Sequence, residues 1–172
     1  MENLSKLAKL FLFLTILSFA LWFGSYITRM TLCYQLFYGT QFALKEIVKQ
    51  SNFNDITLTL APAIAMSVLS YLALVICFAC FVFASKMKMK LNGWLFISTI
   101  LVITTLPFEL YLILKFDKPF MDAAFWGAAD ANFYINLIIE RFKVLGSFPI
   151  IEIFSFIAIA FLFLFRPFRK QA

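Results

Sequence analysis

Charged residues are sparse along the chain and divide it into four long apolar stretches. Lys9 and Arg29 bracket the uncharged run from Leu10 to Thr28, and Asp55 and Lys86 bracket a longer one rich in Leu, Ala, Val and Phe. Lys90 and Glu109 bracket a third, which stays apolar to Leu114. The fourth runs from Phe148 to Phe165 with Glu152 as its only charge. A helix needs about 20 apolar residues to cross the hydrocarbon of a bilayer. In lipid only helices and closed barrels satisfy their own backbone, and these runs lack the alternation of a strand. The pattern therefore predicts an all-α integral membrane protein, a bundle with spans at about 8–31, 58–85, 91–115 and 148–166, forming one four-span domain over 1–172.

The first stretch also resembles a secretory signal, with Lys6 and Lys9 before the apolar run and Ser18-Phe19-Ala20 as a small-x-small site. Hydrophobicity continues without a break through Leu21, Trp22, Phe23 and Tyr26, which favours an uncleaved helix. With four spans, Lys6 and Lys9, Lys86, Lys88 and Lys90, and Arg166, Arg169 and Lys170 fall on one side in three short segments. The opposite side spreads its cations over two longer loops that also carry acids. Basic residues near helix ends favour the cytoplasm, so both termini are expected there, in a cell membrane.

The two outer loops carry amphipathic patterning over about 34–50 and 120–145. In the first, Phe37, Leu44, Ile47 and Val48 fall close to one helical face. In the second, Asn132, Asn136, Glu140 and Lys143 form a polar stripe among apolar and aromatic neighbours. Helices lying on the membrane surface, or capping the bundle, are expected in both.

Small residues inside the second span, Ala63, Ser67, Ser70, Ala73, Cys77, Cys80 and Ala84, repeat at a mean step near 3.5, the period of a left-handed packing seam. Close approach of membrane helices depends on such residues. In the first span Thr15, Ser18, Trp22, Ser25 and Arg29 form a matching stripe. Cys77 and Cys80 make a CxxC, but no charge lies within a turn to stabilise a thiolate, so both read as packing residues.

Composition narrows the chemistry. Of 172 residues 63% are hydrophobic and 14% charged, too few polar groups to cover a water-soluble surface. Histidine is absent, which removes His-ligated metals and haem and every His-based nucleophilic relay. None of the five glycines builds a phosphate loop. The charge of +6 suits anionic lipid headgroups rather than nucleic acid, because no basic stripe with interleaved aromatics exists. No cofactor and no metal are expected.

Ionisable residues in the spans are the remaining candidates. Arg29 lies roughly 28 Å above Leu10, Glu109 roughly 27 Å above Leu91, and Glu152 about one turn inside the outer end of its helix. All three reach a similar depth, with Thr105 one turn below Glu109 and Ser155 beside Glu152. One reading is a candidate ion, ligand or structural cluster of Arg29, Glu109, Glu152, Thr105 and Ser155, with the guanidinium between two carboxylates. The other is an interfacial ring in which Arg29 snorkels and the glutamates meet water.

Two functions fit. The first is a non-catalytic accessory, assembly or scaffold subunit, partnered by the lipid bilayer and by other membrane subunits or further copies of itself. The second is a small oligomeric transporter or ion or proton pathway using the Arg/Glu cluster. A lipid- or quinone-directed enzyme would lack a recognisable nucleophile.

Overall fold

The computed structural model describes residues 4–39, 42–46, 48–49, 52–127, 129–144 and 146–168. It is mostly helical, and four helices are long and apolar enough to cross a membrane. The first, α1 (Lys6–Gln35), starts at Ser5, whose Oγ accepts the Ala8 N–H at 3.1 Å. Its buried residues, Ala8, Leu12, Thr15, Ser18, Trp22, Tyr26, Arg29 and Cys33, keep helical spacing along its whole length.

The second long helix, α2 (Phe53–Ser85), packs on α1 along most of its length. It ends at Lys86 in a left-handed conformation, and a 3-10 turn at Met89–Leu91 leads into α3 (Gly93–Leu112). The third long helix runs on past residue 115. It continues through a π-helical turn, Ile113–Asp117, into α4 (Lys118–Trp126), so Asp117 lies inside one continuous helix rather than in a loop. Pro119 follows closely on the π turn and has no N–H to donate, so the continuous helix loses one ladder hydrogen bond at that point.

The outer segments differ from expectation in part. Among the described residues of 34–50 no amphipathic helix follows α1. After α1 the chain makes a two-stranded antiparallel hairpin, β1 (Phe37–Tyr38) with β2 (Ala43–Leu44), pairing Phe37 with Leu44. Gly39 and Phe42 have positive φ, which a helix cannot contain. Phe37 is buried while Leu44 is exposed, and Ile47 of the expected face lies outside the described residues.

Residues 120–145 divide between α4 and a separate helix, α5 (Ala131–Val144), whose start Asp130 caps by accepting the Phe133 N–H. On α5 the stripe Asn132, Asn136, Glu140 and Lys143 is exposed and Tyr134, Ile138, Arg141 and Phe142 are buried, an amphipathic helix as its spacing predicts. Tyr134 packs on Phe53 and Phe120, and Phe142 stacks on Tyr34 and Phe42, which fixes α5 across the ends of α1, α2 and α4.

The last helix, α6 (Phe148–Phe165), packs chiefly on α3. Leu12, Phe81, Trp94, Leu95 and Leu162 close one end of the bundle, where Gly93 N–H also donates to the Phe168 carbonyl. Lys6, Lys9, Lys86, Lys88, Lys90 and Arg166 belong to the helix ends gathered there. Arg169 and Lys170 lie outside the described residues.

The α2 seam is partly displaced from the expected one. Ser67 and Ser70 are buried, and Ser70 Oγ lies 3.1 Å from Ser25 Oγ of α1. Ala63, Ala73, Cys77, Cys80 and Ala84 are only half-buried. The buried line is one residue away, at Ile64, Val68, Tyr71, Leu74, Phe78 and Phe81, where Tyr71, Phe78 and Phe81 reach aromatic side chains of α6.

Candidate functional site

At the end of the bundle capped by α5, charged side chains from different helices meet in the interior. Arg29 arrives on the buried stripe of α1, one turn beyond Tyr26. Its Nη1 donates to Ser67 Oγ of α2 at 3.1 Å, and its Nη2 pairs with Asp117 Oδ1. Arg141 of α5 reaches the same oxygen, donating from Nε at 2.9 Å, and its Nη2 donates to Glu109 Oε1 of α3 at 3.1 Å. One carboxylate oxygen therefore joins two guanidiniums, and the chain Ser67–Arg29–Asp117–Arg141–Glu109 ties α1, α2, α3, the π turn and α5 together. None of the four charged side chains is more than 6% exposed.

The π turn is what puts Asp117 there. Eight residues of regular helix would leave Asp117 about 80° round from Glu109. In the wider i→i+5 turn each residue rotates through a smaller angle, which returns Asp117 toward the Glu109 face. Burial disfavours charge on Arg141, but Asp117 and Glu109 outweigh it and hold the guanidinium's affinity for its proton above the ordinary value. A hollow of about 20 Å³ beside Arg29, Asp117 and Arg141 has room for about one water.

Glu152 stands apart from this bonded chain. It is completely buried on α6 beside the Tyr26 hydroxyl and feels the charges of Glu109, Arg141 and Arg29, yet no group among the described residues meets either carboxylate oxygen at full hydrogen-bond geometry. The hydroxyls of Tyr26 and Tyr71, also buried, likewise lack full hydrogen-bond geometry. With all groups ionised the cluster holds two guanidiniums and three carboxylates, a surplus of one negative charge. Such a group of polar atoms, shielded from water, needs compensation from within.

Of the residues expected from the sequence, Arg29, Glu109, Glu152 and Thr105 are buried, and Ser155 is not part of the group. Ser155 is half-buried and its hydroxyl donates to the Ile151 carbonyl of its own helix. Thr105 similarly spends its hydroxyl on Leu101 and Val102 carbonyls. The expected order of partners changes too. Arg29 does not sit between two glutamates; it bonds Asp117 and Ser67, while Arg141 holds Glu109. Asp117 and Arg141 escape a span-by-span reading, because one lies past the apparent end of a span and the other in an outer loop. Arg141 does carry a signal: it is a charge on the apolar side of α5, in line with Tyr134 and Ile138 and away from the polar stripe.

Cys33, Cys77 and Cys80 are free thiols. Among the described residues no group of three or more Cys, Asp or Glu side chains is arranged to hold a metal ion. No family model matches the chain, and neither a curated protein nor a solved structure matches it.

Proposed function

We propose that the chain is a non-catalytic multi-pass membrane protein acting as an accessory, assembly or scaffold subunit of a membrane complex, with both termini on the cytoplasmic side of a cell membrane. The observation that carries this reading is the buried ionic chain from Ser67 to Glu109, which clamps helices together through one oxygen of each carboxylate, Glu109 Oε2 and Asp117 Oδ2 having no partner among the described residues. A hydrophilic route would need polar groups to continue along the bundle. Below the cluster the buried hydroxyls of Thr15 and Ser98 are spent on carbonyls of their own helices, Trp22, Phe156 and Phe19 pack together in the interior, and the crevice there is apolar. The helices' outer faces carry exposed Phe, Leu and Ile, which suit lipid and lateral contact with other membrane helices. Purification in mild detergent followed by mass spectrometry tests this: a larger partner at fixed stoichiometry supports it, and a homo-oligomer that carries out proton-coupled uptake in vesicles rejects it.

A second reading, a small oligomeric transporter or ion or proton pathway, is favoured by one observation. Glu152 and the Tyr26 and Tyr71 hydroxyls form a buried polar group that lacks full hydrogen-bond geometry among the described residues. Cation- or proton-coupled uptake by the purified chain in vesicles, lost in Glu152→Gln, would establish it.

A further inference from the structure

A crevice of about 400 Å³ runs along the side of the bundle below the ionic cluster. The α6 backbone approaches α3 closely but comes near α1 and α2 only sparsely, and aromatic side chains such as Phe19, Trp22 and Phe156 bridge the gap at one end. Val102 and Phe78 form the buried floor, while Ile16 on α1 and Ala160 and Leu164 on α6 are exposed, so the mouth opens sideways between α1 and α6. Between Phe156 and Leu164 the crevice follows α6 for about 12 Å. Its one lining hydroxyl, Thr15, already donates to the Phe11 carbonyl at 2.7 Å, so the walls offer an occupant hydrocarbon alone.

One end of this crevice, lined by Leu12, Phe163 and Leu164, lies toward the basic end of the bundle. Lys9 is exposed and lies two turns from Ile16 on the same face of α1. Arg166 follows the last turn of α6, with its guanidinium over the Trp94 ring at 5.5 Å, and Trp94 packs edge-on against Phe163, a wall of the crevice. An apolar slot of this size, at hydrocarbon depth, with walls that lead along α1 to Lys9 and along α6 to Arg166, matches a phospholipid with an anionic headgroup. We infer that one acyl chain of an anionic phospholipid intercalates between α1 and α6, with its phosphate held by Lys9 and Arg166. The lipid then supplies the contact that α6 lacks with α1, in a volume typical of small-ligand pockets. This inference is independent of the partner and transport readings above.

Two of the three tryptophans, Trp22 and Trp94, pack against crevice walls, and Trp126 is exposed. The full chain carrying Trp126→Phe is reconstituted in vesicles containing phosphatidylglycerol with brominated chains, or phosphatidylcholine with the same chains, and tryptophan quenching is read. Phosphatidylglycerol should quench more strongly at equal mole fraction, and Lys9→Gln should weaken that preference by roughly fivefold, the weight of one basic residue near an anionic surface. Ala160→Phe should fill the slot and remove the added quenching. Should Ala160→Phe fail to fold, Ile16→Phe closes the mouth from α1 and should act alike. Equal quenching by both lipids overturns the inference. So does quenching that survives the filling substitution in a protein with normal thermal unfolding.

Discussion

Arg29 in the first helix and Asp117 in the π turn of the third are 88 residues apart in the chain and form a fully buried ion pair. Asp117 Oδ1 is shared with Arg141, so a single oxygen is the meeting point of three structural elements. Removing a partner from a buried pair leaves a charge stranded where water cannot reach it.

Asp117→Ala should therefore be among the most damaging single changes, costing about 3–5 kcal/mol of stability. Arg29→Met with Asp117→Leu should cost clearly less than the two single substitutions added together, because neither variant group is then left charged and alone. Thermal unfolding of all four proteins in one detergent checks this. Strict additivity would show that the pair carries no coupling.

Glu109 and Glu152 should respond differently to the same isosteric change. Glu109→Gln weakens a charge-assisted bond to Arg141 and should lower stability by about 1.5–3 kcal/mol. Glu152→Gln gives up no bond to either guanidinium and leaves an amide oxygen to face Tyr26, so it should shift stability by less than about 1 kcal/mol. Parallel melting curves read both. An equal and large loss in the two variants would mean that Glu152 belongs to the bonded chain.

Cys77 and Cys80 should be dispensable as thiols. The double change to serine or to alanine should preserve folding and partner binding, since both side chains are free and half-buried. Cys80→Phe should cost about 1–3 kcal/mol through overpacking. A serine pair that folds normally but loses function would restore redox or metal chemistry to the CxxC.

Arg141 should hold α5 in place. Arg141→Gln loses charge at both Asp117 and Glu109, so amide exchange over 131–144 should speed up several-fold while the centres of α1 and α2 stay protected. Uniform acceleration throughout the bundle would show that α5 does not open separately.

Topology can be read with a reporter active only in the cytoplasm. Inserted near Lys88 it should give signal, and inserted near Asn132 it should give none. The reverse pattern would invert the assignment of the basic end.

The sequence by itself determined the helical class and the positions of the long apolar helices, because the requirement for about 20 apolar residues is a local one. It also marked Arg29, Glu109 and Glu152, since a charge inside an apolar run turns toward protein whatever its partner is. The amphipathic stripe of α5 was legible for the same reason: its period is set within a few turns. The partners were decided only in three dimensions. Whether Arg29 meets Glu109 or Asp117 depends on how far each helix is rotated about its axis, and a π turn that adds one residue to a turn resets that rotation for everything beyond it. The buried line of α2 shifted one residue from its small-residue seam because neighbouring helices set which side is covered. The hairpin displaced an expected helix at 37–44 because positive φ at Gly39 and Phe42 reverses the chain there, a backbone choice that hydrophobic spacing does not record. Arg141 and Asp117 looked like loop charges in one dimension, and only the docking of α5 across the bundle removed both from water.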